Sequence, residues 1–242
     1  MARKGVRTRL KRHAAPAFWT IPRKRFRFAV RAAAGPHAAP ASYPLAVIVR
    51  DLLGLARNYR EARATITEGR ITVDGVVRRD PHFPVGVMDV VEIAGIGKVY
   101  RFLPRDGAPL VPVEIPETEK GLKLCQIRSK TTVRGGKLQY GLHDGRTILP
   151  AGEVEFNVGD TCLVDVPSQR IQRALKLEKN AQVIVVRGQN AGTVGQVDQL
   201  LPGSFSRRAM ARLKVRGRAV EVPTRLLLVV GKDQPAITLG RE

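Results

Sequence analysis

Residues 68–81 read "EGRITVDGVVRRDP". Two short apolar runs, Ile71-Thr72-Val73 and Val76-Val77, flank Asp74-Gly75. That dipeptide is a strong signal for a two-residue hairpin turn, because glycine takes a positive φ without steric cost and aspartate tolerates one. Such a loop pairs Val73 with Val76, Thr72 with Val77 and Ile71 with Arg78, and it sets Arg70 opposite Arg79. Like charges facing each other weaken a sheet. Arg78 would also fall on the apolar face, unless the ladder ends at Val77 or the strand bends there to turn it outward. Three arginines at the open end of one short hairpin are a cost to the free chain and an asset against a polyanion.

The flanking sequence extends the hairpin into an α+β unit over residues 43–105. Upstream, "YPLAVIVRDLLG" (43–54) reads as a helix with Pro44 in its first turn, Leu45, Ile48, Val49 and Leu52 on one face, and Gly54 at its end. A second helix follows in "NYREARATITEG" (58–69), with Asn58 as N-cap, Glu61 three residues on and Gly69 as terminator. At 100° per residue Tyr59, Ala62 and Ile66 make its buried stripe. Arg60 and Arg63 lie off that stripe, and Arg57 precedes the cap. Glu68 and Asp80 are the acids nearby in sequence, too few to neutralise six arginines. Downstream, "PVGVMDVVEI" (84–93) and "KVYRFL" (98–103) have strand composition.

The chain has 242 residues, a length that implies two or three small domains. With 43% hydrophobic residues it can build cores, and its 23 Gly and 16 Pro favour many turns and short strands. Formal net charge is +21 and the pI is near 11.1. Thirty of the 42 basic residues are arginine, the side chain whose planar fork binds phosphate in bidentate fashion. Nucleic acid is therefore the leading partner, ahead of an acidic membrane surface and of a merely soluble basic protein. Residues 1–42 read as an extended basic arm: the first acid of the chain is Asp51, and "ARKGVRTRLKRHAAPAFW" and "PRKRFRFAVR" interleave arginines with Phe18, Trp19, Phe26 and Phe28. Prolines 16, 22, 36 and 40 break any amphipathic presequence helix. The arm buries little alone and is expected to order on its partner, its aromatics plugging a protein groove or stacking on unpaired bases.

Beyond residue 105 the chain turns β-like. "LKLCQIRSKTTVRGGKLQYGLHDGRTI" alternates around Gly135-Gly136 and Asp144-Gly145, and "FNVGDTCLVDVP" adds a turn at Gly159-Asp160, giving a small sheet or barrel over 106–175. Residues 176–242 hold "AQVIVVRGQNAGTVGQVDQL", a strand-loop-strand with glycines in its tip, and "ARLKVRGRAVEVPTRLLLVVG", with a turn at Arg216-Gly217; the composition resembles a five-stranded SH3-like barrel. The fold class is α+β, predominantly β: an elongated multi-domain chain of basic arm (1–42), helix-helix-hairpin domain (43–105), central β-domain (106–175) and SH3-like barrel (176–242). The Arg187–Gly192 loop is read as a contact loop whose glycines let backbone approach a partner closely.

No catalytic pattern emerges. "GIGK" and "RGGK" are too short for a P-loop, and His143 and Asp144, adjacent on a strand, would face opposite ways. Asp144-Gly145 is read as a turn. The four histidines are scattered without metal-ligand spacing, and Cys125 and Cys162, outside any CxxC, are read as reduced core thiols. There is no apolar run near the ~20 residues that span a bilayer. No enzyme activity, cofactor, metal or small-molecule substrate is expected.

Four stretches in this order carry a resemblance: "LKRHAAPAFWTIPRK" with "AGPH"; "LLGLARNYREARATITEGRITVDGVVRRDPHFPVGVMDVVEI"; "KLCQIRSKTTVRGGKLQYGLHDGRTI"; and "VIVVRGQNAGTVGQV". Together they resemble the ribosomal protein S4e family of the archaeal and eukaryotic small subunit. The second is similar to the RNA-binding module shared with bacterial small-subunit protein four, and the fourth to a KOW motif. The resemblance implies a structural constituent of the small subunit that binds 16S-type ribosomal RNA and neighbouring ribosomal proteins in the cytoplasm, supports assembly and translation, and is not a homo-oligomer. Its RNA-facing positions carry over to Arg57, Asn58, Tyr59, Arg60, Arg63, Arg70, Arg78 and Arg79, and to Arg187, Gly188, Asn190 and Gly192 of the KOW loop. Arg3, Lys4, Arg7, Arg9, Lys11, Arg12, Trp19, Arg23, Lys24 and Arg25 of the arm, with Lys130, Arg134, Lys137, Arg207 and Arg208, complete the expected RNA-binding set. Residues 37–44, "HAAPASYP", depart from the acidic pattern common in the family, which leaves the path of that linker open. The ending, short of a eukaryotic-type tail, and the Arg/Ala/Val bias point to an archaeal source.

Overall fold

A computed structural model describes residues 9–105, 107–150, 155–215, 217–232 and 234–239. Arg3, Lys4, Arg7 and the turn residue Arg216 lie outside the described residues. The elements are β1 (Leu10–Lys11), β2 (Phe28–Ala29), β3 (Tyr43–Pro44), α1 (Leu45–Val47, continued by a π-helical turn over Ile48–Leu52), α2 (Tyr59–Thr67), β4 (Ile71–Val73), β5 (Val76–Val77), β6 (Pro84–Val85), β7 (Val90–Ile93), β8 (Val99–Arg105), β9 (Ala108–Ile115), β10 (Leu122–Thr132), β11 (Leu138–Leu142), β12 (Thr147–Ile148), β13 (Thr161–Asp165), β14 (Arg170–Leu175), β15 (Gln182–Val185), β16 (Val194–Leu201), β17 (Met210–Val215), β18 (Arg218–Pro223) and β19 (Leu227–Gly231). The chain is mostly β, and among the described residues no helix is long and apolar enough to cross a membrane.

The hairpin forms in the expected register, Thr72 opposite Val77 and Val73 opposite Val76. Asp74 (φ 52°) and Gly75 (φ 72°) both take positive φ, as a type I′ turn requires. The two helices follow the expected signals, with Pro44 capping α1 rather than entering its first turn. The expected strand over 84–93 is instead two, β6 and β7, because Met88 takes φ 67° in the turn between them.

Among the described residues three five-stranded antiparallel sheets form, in the orders β5-β4-β7-β8-β9, β12-β11-β10-β13-β14 and β18-β17-β16-β15-β19. The expected boundary at 105 falls at the turn of the β8–β9 hairpin, and β9 extends the first sheet to Ile115. The composition change there does not mark a unit, because backbone pairing overrides it. In the third sheet, among the described residues, no pairing joins β18 to β19, so the five strands form an open ladder and not the closed barrel expected. Cys125 and Cys162 are cross-strand neighbours in the second core, free and buried, and burial pushes both thiol pKa values up, Cys162 to about 12.

The arm departs most from expectation, since residues 9–42 fold back on the chain. Trp19 is 2% exposed, stacks on Tyr43 and donates its indole N–H to the Ser42 carbonyl at 2.9 Å. Trp19 and Ile21 enter a hydrophobic core shared with α1, α2 and the first sheet, which continues to Leu124 and Leu163 of the second sheet and Ile184 and Leu228 of the third. The modules are thus welded through one apolar cluster.

Candidate nucleic-acid interface

Helix α2 starts where its local sequence dictates. Asn58 Oδ1 accepts the Glu61 amide at 3.0 Å, and Glu61 Oε2 accepts the Arg57 amide at 2.7 Å, a reciprocal cap that sets the path of residues 57–61. Ala62 and Ile66 are buried and Tyr59 half-buried, its hydroxyl 3.4 Å from His82 Nε2. The same periodicity leaves Arg57, Asn58, Arg60 and Arg63 exposed. Gly69 (φ 80°) ends the helix, and the Arg79 guanidinium lies over it, 3.3 Å from where a Cβ would stand. The hairpin base thereby reaches the C-terminal end of α2.

The charge conflict at that base is settled unequally. Arg70 pairs with Glu68 at 2.7 Å, both exposed. Arg79 remains exposed, with no ion-pair partner among the described residues. Asp80 accepts the His82 amide instead. Arg78 continues the ladder by donating its amide to Ile71 O at 3.0 Å, and its guanidinium lies on the apolar side over the Phe83 ring, 4.5 Å from the centroid. Its Nε is buried without a hydrogen-bond partner among the described residues. Arg78 is therefore a packing residue more than a surface cation.

The arm adds a second basic surface. Arg9, Lys11, Arg23, Lys24 and Arg25 are exposed. Phe26 and Phe28, 39% and 42% exposed, sit under arginines: Arg25 and Arg50 over Phe26 at 5.3 and 5.1 Å, Arg27 and Arg9 over Phe28 at 5.6 and 5.8 Å. Arg27, between two phenylalanines, adds to this exposed surface, whereas Arg50, on the π-helical turn after α1, is 10% exposed and paired with Asp51 at 2.6 Å. Two expected RNA-binding residues of the arm are turned inward. Trp19 is a core residue, and the Arg12 guanidinium donates to the Ile21 carbonyl at 2.5 and 3.1 Å, holding the arm's own fold.

Of the remaining positions, Lys130 pairs with Glu155 at 2.7 Å, and Arg134 and Lys137 are exposed beside the Gly135–Gly136 turn. Arg207 pairs with Glu221 at 3.3 Å, and Arg208 is exposed. In the loop between β15 and β16, Arg187, Gly188 and Asn190 are exposed, and Arg187 donates to the Pro40 carbonyl at 3.3 Å. Gly192 serves an internal approach: a Cβ there would stand 2.5 Å from Arg105 Cα, and Gly107 N donates to Ala191 O at 2.9 Å. The close backbone approach anticipated with a partner is made with the β8–β9 turn.

The feature missed in the sequence is a buried ionic node. Lys123, 1% exposed, lies 2.7 Å from Asp74, 2.5 Å from Asp89 and 3.1 Å from Asp144. Arg146 bonds Asp74 at 2.7 Å, and His37 lies 3.0 Å from Asp89. Arm, first sheet and second sheet meet there, and His37, in the linker whose path was open, is what fastens the arm. Burial alone would lower the Lys123 ammonium pKa, but Asp89 and Asp74 hold it well above the ordinary value. Burial likewise opposes ionisation of Asp89 and Asp144, and Lys123 keeps both below the usual carboxylate range. Asp74 is therefore both a turn residue and an anchor between units. One sequence signal existed: in "LKLCQI" the alternation puts Lys123 on the face of Cys125 and Ile127. Among the described residues no group of His, Cys, Asp or Glu is arranged to hold a metal ion.

Three family models match in succession: the RS4NT domain over residues 4–40, the S4 domain over 44–91 and "Ribosomal family S4e" over 96–171. The chain is 43% identical to the small ribosomal subunit protein eS4 of Aeropyrum pernix, over 99% of this chain and 98% of that protein. The chain belongs to the S4e family of ribosomal proteins. The eS4 protein of Ignicoccus hospitalis is 41% identical over 97% of this chain and 96% of its own length. The crystal structure of the S4e protein of Thermoplasma acidophilum superposes with a TM-score of 0.67 at 26% identity, covering 80% of this chain and 95% of that one. The S4 match spans α1, α2 and the arginine hairpin, and the S4e match takes in β8 and β9 together with β10 to β13 of the second sheet. Membership places the chain among ribosomal proteins, not enzymes.

Proposed function

We propose that the chain is a structural constituent of the small (30S) ribosomal subunit, held in the cytoplasmic ribosome by 16S-type ribosomal RNA and by neighbouring ribosomal proteins, and that it supports subunit assembly. The observation that carries this is the exposed arginine row of Arg57, Arg60, Arg63 and Arg79 along α2 and the hairpin base, which no carboxylate among the described residues neutralises. Phosphate contacts of this kind orient a protein on RNA without reading sequence. The Arg/Phe surface of the arm is a second RNA-binding face, suited to unpaired bases and backbone together. The third sheet, with Arg187, Gly188 and Asn190 at an exposed loop, is read as a KOW-type, SH3-like binding module. Arm, S4-like unit, central sheet and C-terminal sheet act as one rigid platform, since a shared core and the Lys123 node join them. The test is binding to small-subunit ribosomal RNA as a function of salt. Arg60→Ala with Arg63→Ala should weaken binding and flatten the log–log slope by about 0.9 for each phosphate no longer neutralised, or ~0.7 on single strands. An unchanged slope would refute the role given to α2.

A further inference from the structure

Away from α2, three arginines converge where the second and third sheets meet. Gln126 Nε2 on β10 donates to Leu227 O at 2.7 Å, and Val229 N on β19 donates to Thr161 Oγ1 on β13 at 3.0 Å, so these strands lie against one another. Arg128 follows Gln126 by two residues on β10, at the bulge between Ile127 and Ser129, and Arg225 precedes Leu227 by two. Val186 N donates to Leu226 O at 2.8 Å, which brings Arg187 beside Arg225. All three side chains are exposed, and none forms an ion pair among the described residues. Packing against its surroundings, then the charges of Arg225 and Arg187, hold the Arg128 pKa below the ordinary arginine value.

Two other groups of crowded cations, unlike the α2 row, are neutralised within the chain. Lys123 has three carboxylates, and Arg207 and Arg212 share Glu221. The triad is built from three separate segments and, among the described residues, has no carboxylate partner. A cost of this kind in the free protein is removed by an anion that accepts from several guanidinium forks at once, and a phosphate diester has that geometry.

We propose that Arg128, Arg187 and Arg225 form one binding site for a backbone phosphate of RNA, a clamp on RNA at the joint between the central and C-terminal sheets. The site rests on the ribosomal RNA reading above and adds Arg128 and Arg225 to it. Arg187 is already oriented by the Pro40 carbonyl, so one arm of the clamp is preset.

The experiment compares the full-length wild type, Arg128→Gln/Arg225→Gln and Arg60→Ala/Arg63→Ala for binding to small-subunit ribosomal RNA across a potassium chloride series, with thermal melts of each free protein. The Arg128/Arg225 variant should melt at or above the wild-type temperature, since repulsion is relieved. It should bind RNA more weakly, with a slope shallower by about 0.7–0.9 for the one phosphate no longer neutralised. Unchanged affinity and slope in that variant, while the Arg60/Arg63 variant is weakened, would overturn the triad alone. A lowered melting temperature would show that the arginines hold the joint structurally, and would also overturn it. Failure of the wild type to bind would remove the ribosomal RNA reading and the triad with it.

Discussion

Replacing Lys123 with Met should be among the most damaging single changes in this chain. The ammonium is 1% exposed and within 3.1 Å of three carboxylates, Asp74, Asp89 and Asp144. Met fits the space but leaves those three acids facing Arg146 and His37 alone. Removing one partner of a buried ion pair costs about 3–5 kcal/mol. At roughly 2–4 °C per kcal/mol for a chain of this size, the apparent Tm should drop by about 6–20 °C at pH 7, followed by circular dichroism on the full chain. The pH dependence supplies an independent check. In the wild type, Asp89 and Asp144 have folded-state pKa values below the ordinary carboxylate value, so their stabilisation is present above about pH 4 and is lost only as pH falls through the depressed values. In the variant the uncompensated carboxylates are pushed up, the folded state takes up protons first, and stability falls as pH rises. The gap between variant and wild type should therefore narrow from pH 7 to pH 5, and Asp89→Asn added to Lys123→Met should recover part of the loss. A Tm change below about 3 °C, or a gap that ignores pH, would refute the account of the node as a charge lock between arm and sheets.

Three further outcomes test other parts of the structure. Burial, then the Lys123 charge, hold the His143 pKa at about 4, opposed by Asp144 and by the Val87 carbonyl. The unfolded chain therefore binds the extra proton between about pH 6.5 and 4, and the unfolding free energy from urea titrations should drop as pH is lowered through that window, by at most about 1.4 kcal/mol per unit, a slope that His143→Gln should flatten. Trp19→Ala should cost about 3–5 kcal/mol as a core truncation, while the fraction that stays folded keeps its RNA affinity; a loss of affinity without loss of stability would return Trp19 to the RNA surface. Gly192→Ala forces a positive φ on alanine and a Cβ into the Arg105 backbone, so it should cost about 1–3 kcal/mol and accelerate hydrogen exchange at the Gly107 amide, which bonds Ala191 O.

Much of the S4-like unit was legible because its instructions are local. Asn58 with Glu61 starts α2, Gly69 ends it, and Asp74-Gly75 pins the hairpin register, each acting over a few residues through backbone hydrogen bonds and φ preference. The exposed arginines of α2 followed from the same periodicity. The arm was misjudged because composition counts charges and prolines but does not reveal that Trp19 has a slot beside Tyr43. Among arginines and prolines a tryptophan suits a protein groove or unpaired bases, and only the packing shows that Trp19 fills the chain's own core. The β9 boundary was missed for a related reason: strand pairing with β8 is a property of the sheet, not of the residues between 106 and 115.

The sequence by itself determined the turns, caps, strand alternation, the polyanion-seeking charge and, through four ordered motifs, the family. Those are set by neighbours in the chain, where conformational choice is local. The tertiary structure alone decided which charges are used inward and which outward. Lys123, Asp89, Asp144 and His37 are far apart in sequence and meet only when arm and sheets close over them, where the low dielectric makes pairing obligatory. Arg12 and Arg78 are spent on a carbonyl and a ring, while Arg60, Arg63 and Arg79 are left to solvent. The opening hairpin shows both levels at once: its turn is written in two residues, yet Asp74 of that turn is held by Lys123 from a different sheet.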